Sequence, residues 1–224
     1  MNPVGTHCAA EVYTVRIPPI GLAGTLRIPA GAAALVIFAH GSGSSRLSPR
    51  NMAVAEGLNE HGLATLLFDL LTVEEEADRA NVFAIPLLAE RVIDAVDWTG
   101  GEPLTRPLRL GLFGASTGAA AALVAAARLG GQVGAVVSRG GRPDLAGDVL
   151  DHIHTPTLLI VGGADDVVIE LNEQAFARLP GPKALEIVPG ATHLFPEPGA
   201  LEAVIGHAAR WFKLYLGPNA SDPV

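Results

Sequence analysis

Leu108-Arg109-Leu110-Gly111-Leu112-Phe113-Gly114-Ala115-Ser116-Thr117-Gly118-Ala119-Ala120-Ala121-Ala122-Leu123 is the stretch on which the reading of this chain turns. The run from Leu108 to Phe113 has the length and apolar character of a buried strand. Gly114-Ala115-Ser116-Thr117-Gly118 follows, and Thr117 to Leu129 is an alanine-rich segment suited to a helix. A strand that enters a helix through so few residues turns sharply. A serine at the apex is then strained, and small residues two before and two after it keep strand and helix from clashing. Its hydroxyl stands clear of the sheet at the positive end of the helix dipole. That placement marks Ser116 as a nucleophile. The bland alternative is a tight turn that merely packs well.

The rest of the chain repeats the same alternation. Leu35 to Ala39, Ala64 to Phe68, Ala135 to Ser138, Leu158 to Val161 and Ala184 to Val188 read as strands. Asn51 to His61, Ile85 to Trp98, Glu170 to Leu179 and Ala200 to Leu216 read as helices, with Pro86 in a first turn. Strands this uniformly apolar are buried on both faces, as in a parallel sheet covered by helices. Glu11 to Ile17 and Gly24 to Ile28, punctuated by prolines, predict an antiparallel hairpin at the sheet edge. The segment between Ala135 and Leu158 is too short for a cap domain, so no large lid is expected. Residues 1–216 are expected to form one domain, with 217–224 as a fraying tail.

Composition narrows the function classes. The chain has 224 residues, 49% of them apolar, and a formal charge of -8. An acidic protein is not expected to partner nucleic acid or an anionic membrane. The longest apolar stretch, Leu110 to Ala127, contains a serine, a threonine and glycines and reads as strand, turn and helix rather than as a membrane span. Cys8 is the single cysteine, so no internal disulfide is possible, and it reads as an incidental thiol. Met1 to Ala10 lack the features of a signal peptide, and Asn219-Ala220-Ser221 is a sequon without a secretory context. A soluble, cytoplasmic protein is the expectation.

A serine hydroxyl attacks only when a base takes its proton, and the base needs a carboxylate to orient it. In an open parallel sheet such groups collect on loops at the carboxyl ends of strands. His193 lies there, after the strand at Ala184 to Val188, whereas His207 falls inside the last helix and His152 and His154 precede a strand. The loop after Val161 offers two adjacent carboxylates, Asp165 and Asp166, and sequence physics alone hardly separates them. A tetrahedral intermediate also needs two backbone N–H donors. Thr117 supplies one, and Ser42, in the glycine-rich loop His40-Gly41-Ser42-Gly43-Ser44-Ser45-Arg46, the other. No G-K-[ST] follows that loop, so it is not a P-loop.

Ala39-His40-Gly41-Ser42-Gly43, Gly114-Ala115-Ser116-Thr117-Gly118, Gly162-Gly163-Ala164-Asp165-Asp166-Val167-Val168 and Ala191-Thr192-His193 together resemble the α/β-hydrolase superfamily. The likeness is closest to its small, lidless dienelactone-hydrolase-like members and spans about Leu22 to Leu216. It implies Ser116 as nucleophile and His193 as base. The family's G-x-x-D-x-x-V pattern, here Gly162, Asp165 and Val168, favours Asp165 as the acid. Dienelactone hydrolases themselves use cysteine where this chain has serine. The resemblance therefore implies a serine hydrolase of small carboxylesters or lactones, with no cofactor and no metal. Two alternatives stand beside it. One is a catalytically silent binding or accessory protein that kept the fold. The other is the same triad used for C–C hydrolysis, transacylation or perhydrolysis.

Three arginines, Arg46, Arg139 and Arg142, lie on loops at the expected site and would bind an anionic group on the substrate. Surface ion pairing, for instance with Asp144 or Asp148, is an equal alternative. Asp69 reads as ordering its loop, and Glu74, Glu75 and Glu76 as a solvated turn. Asp151, His152 and His154 match no standard metal spacing.

Overall fold

A computed structural model describes residues 10–218. The expectations for Cys8, the first nine residues, the sequon and the end of the tail fall outside that range. Among the described residues, eight strands form one sheet in the order β1-β2-β4-β3-β5-β6-β7-β8. β1 (Glu11–Ile17) and β2 (Leu22–Ile28) make the antiparallel hairpin, and β2 is also antiparallel to β4 (Ala64–Phe68). The remaining pairs are parallel, joining β3 (Ala34–Ala39), β5 (Arg109–Ala115), β6 (Val133–Arg139), β7 (Thr157–Gly162) and β8 (Lys183–Val188). The expected doubly covered α/β sheet is what forms.

Strand alternation divides the core between the two faces. Leu35, Ile37, Leu112 and Val136 meet α4 (Ile85–Gly101), α5 (Thr117–Leu129) and α6 (Asp166–Arg178). Val36, Phe38, Phe113 and Val137 meet α1 (Pro49–Glu60) and α7 (Ala200–Leu216). Six alanines of α5 are fully buried, and their small side chains let this helix lie close to the strands. No helix among the described residues is long and apolar enough to cross a membrane.

Two local expectations change. Glu74 to Glu76 are helical, not a solvated turn. They belong to α2 (Val73–Glu76), where Thr72 accepts from the Glu75 N–H and Glu75 returns a bond to the Thr72 N–H. Thr72-Val73-Glu74-Glu75 is a capping box, and that pattern could have revealed the helix. Glu75 also pairs with Arg91 at 2.7 Å, and α3 (Arg79–Val82) follows. The second change is α6, which begins at Asp166 rather than Glu170. Its first turn holds Val167, Val168 and Ile169, β-branched residues with weak helix preference. Between β6 and β7 lies only a 3₁₀-type winding over Pro143–His152, with no cap domain.

Candidate active site

The turn at Ser116 is as sharp as the sequence requires. Its φ of 51° and ψ of -122° lie where residues with a side chain rarely sit, a strain of about 1–3 kcal/mol. Neighbouring backbone holds it there. The Ser116 N–H donates to Arg139 O (3.4 Å), and Ser116 O accepts from the N–H groups of Ala119 and Arg142 (3.1 Å each). The flanking glycines are obligatory. A Cβ on Gly114 would lie 2.4 Å from Ala119 Cα, and one on Gly118 would lie 2.2 Å from Ala39 O.

The loops after β7 and β8 are tied together before they reach the site. Gly163 N–H donates to Val188 O (2.8 Å), and Ala164 N–H to Ala191 O (2.9 Å). Phe195, buried and at φ 56°, closes the turn through its N–H bond to Thr192 O (3.1 Å). This brings His193 to Asp165: His193 Nδ1 donates to Asp165 Oδ2 at 2.7 Å, with side-chain exposures of 39% and 17%. Asp166 is exposed in the first turn of α6. A proton held on Nδ1 leaves Nε2 as the basic nitrogen. His193 and Ser116 flank one segment. A Cβ on Gly140 would meet His193 O at 2.9 Å, while residues 139 and 142 bond to Ser116. Ser116 Oγ itself makes no hydrogen bond among the described residues; such bonds commonly tighten only around a substrate.

The two expected N–H donors are also brought together, with one unforeseen feature. Ser42 N–H donates to the Thr117 hydroxyl oxygen at 2.9 Å. An oxygen therefore already occupies the direction in which Ser42 donates, and an incoming oxyanion would have to replace it. The Thr117 N–H heads α5.

His40, given no role by the sequence reading, braces this loop. Its Nδ1 donates to Gly41 O and its Nε2 accepts from the Leu70 N–H, both at 3.0 Å. That pattern requires a neutral ring, and burial holds its pKa below the ordinary 6.5. The unfolded chain therefore takes up a proton first on acidification. Stability is expected to decline as pH falls from 6.5 toward the folded-state pKa. Melting temperatures between pH 7 and 5 should show a shallower slope in His40→Gln. Equal slopes would remove His40 as the source.

The arginines separate. Arg46 binds Asp69 at 2.7 Å, through a side chain that also accepts from the Arg46 N–H, so Asp69 orders its loop as expected. Arg142 makes a two-point bond to Asp144 at 2.8 and 2.7 Å. Both are committed to carboxylates. Arg139 is buried and has no such partner among the described residues. His207 sits beside Glu186 and Arg210, and Asp151 pairs with Arg178. A cavity of about 200 Å³ adjoins the glycine-rich loop, lined by Gly41 to Ser45, Leu70, Leu71, Val73, Val82 and Leu88, with His40, Asp69 and Glu76 as its polar members. Ser116 and His193 are not among its lining residues, but Gly41 is, and a Cβ there would lie 3.0 Å from Ser116 Cβ.

Residues 32–203 match the family model described as an alpha/beta hydrolase domain. A crystal structure of dienelactone hydrolase from Anabaena variabilis is 55% identical, superposes with a TM-score of 0.89, and covers 93% of this chain and 99% of its own. This bears out the dienelactone-hydrolase-like resemblance. A Xanthomonas campestris protein described as an a/b serine hydrolase without lid shares the fold at 22% identity and a TM-score of 0.72, over 98% of this chain and 100% of its own. A Mycobacterium tuberculosis protein provisionally named a phosphoribosyl transferase is 60% identical over 212 residues, 94% of this chain and 48% of that protein. The chain thus spans about half the length of that curated relative.

Proposed function

The chain belongs to the alpha/beta hydrolase family, and from that premise we propose that it is a serine hydrolase of small carboxylesters or lactones, acting through an acyl-enzyme on Ser116. The observation that carries this reading is the bonded pair His193–Asp165, at 2.7 Å, facing the segment that also anchors the strained Ser116. Ser116 Oγ attacks the ester carbonyl while His193 Nε2 takes its proton. Asp165 holds the ring and stabilises the imidazolium. The Ser42 and Thr117 amides receive the oxyanion. His193 returns the proton to the leaving alcohol, and water then cleaves the acyl-enzyme by the reverse sequence. The mostly apolar cavity at the glycine-rich loop offers room for a short chain on one side of the ester.

The transferase name of the M. tuberculosis relative describes a protein about twice as long, and the half shared with this chain corresponds to the hydrolase segment. It therefore does not displace the hydrolase reading. A fluorophosphonate probe tests that reading directly. The native protein should form a single adduct, located on Ser116 by mass spectrometry and absent in Ser116→Ala. Native protein that stays unlabelled, or a variant that still reacts, would sink it.

A further inference from the structure

Two cations at this end of the sheet, Arg139 and Arg50, have no counter-ion among the described residues. Arg139 follows β6 directly, with its carbonyl bonded to the Ser116 N–H, yet the residue is only 6% exposed. Its guanidinium carbon lies 5.9 Å from the centre of the Phe113 ring, on the α1 side of the sheet. Its Nη1 is buried with no hydrogen-bond partner among the described residues. Arg50, in the first turn of α1, is half-buried, and its Nε is buried and unpartnered as well. Burial, and then Arg50, lower the Arg139 pKa to about 10, and no carboxylate among the described residues opposes them. It stays charged at neutral pH.

A third positive element is present. The first turn of α1 carries no acidic residue, so the positive end of that helix dipole adds to the two guanidinium groups. Buried, unpaired charge is costly, and proteins normally match it. Arg46 and Arg142, at the same end of the sheet, are matched in this way. Two buried N–H donors at this spot, Arg50 Nε and Arg139 Nη1, have no hydrogen-bond partner among the described residues. Such a group of orphans points to a missing ligand.

We propose that Arg139 and Arg50 form an anion-binding subsite beside Ser116, and that the ester cleaved there carries a carboxylate or a phosphate. The substrate half of this rests on the serine hydrolase reading above. A planar guanidinium can hold either anion with two parallel bonds. Phe113 backs Arg139 with an aromatic face. The uncharged part of the ester would then extend over Ser116 toward the apolar cavity.

The test compares the p-nitrophenyl half-ester of glutarate with p-nitrophenyl butyrate, esters of similar length with and without a carboxylate. The ratio of their kcat/KM values should fall at least about tenfold in Arg139→Met and in Arg50→Gln, mainly through KM, as expected when a charge-assisted bond is lost. Arg139→Lys should restore part of it. Arg50→Gln decides the matter if Arg139→Met does not fold, because Arg50 is less buried. An unchanged ratio in either folded variant overturns the proposal.

Calorimetry on Ser116→Ala reads the subsite without catalysis. Glutarate or inorganic phosphate should bind, and binding should vanish when Arg139→Met or Arg50→Gln is added. The tighter of the two identifies the anion. If fluorophosphonate labelling fails while arginine-dependent binding persists, the hydrolase reading falls and the subsite stands. Labelling without any arginine-dependent anion preference leaves the hydrolase reading intact and removes the subsite.

Discussion

Asp165→Asn should lower kcat on p-nitrophenyl acetate by about 10,000-fold, while Asp166→Asn should stay within about twofold of the native rate, since Asp166 lies outside the site and touches only its helix dipole. The two carboxylates are neighbours in sequence with opposite environments. Asp165 accepts the His193 Nδ1 proton at 2.7 Å; Asp166 faces solvent in the first turn of α6. An amide at position 165 can offer its N–H₂ to Nδ1. The ring then carries its proton on Nε2, and the nitrogen that should take the Ser116 proton cannot accept it. Asp165 stands at the N-cap of α6 without a side-chain capping bond, so its replacement removes no cap. The loss should thus appear in kcat with little change in melting temperature. Steady-state kinetics of both variants, with thermal melts, check this. Equal effects at 165 and 166 would contradict the assignment.

Gly118→Ala should destabilise the fold by about 4 kcal/mol or more, at the severe end of single substitutions, and is expected to yield little soluble protein. A methyl group there would lie 2.2 Å from Ala39 O and 2.4 Å from His40 O. Both are backbone atoms, so no side chain can rotate away. Relief would require moving α5 away from the end of β3, at the point where the glycine-rich loop leaves the sheet. Gly100→Ala supplies the contrast. Gly100 is exposed in α4, and a Cβ there meets nothing within 4 Å. Alanine should stabilise that helix by about 0.5–1 kcal/mol. Denaturant titration of the two variants measures the difference. A Gly118→Ala protein of near-native stability would mean that the elbow does not pack as described.

The order of chain elements carried much of this into the sequence. The strand before Ser116 and the helix after it were legible because apolar runs, glycine spacing and alanine content are local properties. The same holds for His193, which had to follow a strand to reach the site. α2 escaped although its capping box was present, because three consecutive glutamates suggested a solvated turn. The start of α6 escaped because β-branched residues opposed the local signal, and packing of Val168 and Ala175 into the core outweighed it.

Sequence by itself determined the α/β class, the hairpin at the edge and the candidate nucleophile, since each rests on periodicity or on the steric demands of a few adjacent residues. Between Asp165 and Asp166 it had only a family pattern to lean on, and tertiary structure decided which one His193 meets. The bond between the Ser42 N–H and the Thr117 hydroxyl, the brace at His40 and the pairing of Arg46 with Asp69 were likewise decided by the fold. So was the fact that Arg139 and Arg50 have no carboxylate partner among the described residues. All of these depend on distances between residues far apart in the chain, which only closure of the sheet sets. Whether a charge is matched or left bare is a property of those distances, and local sequence does not contain them.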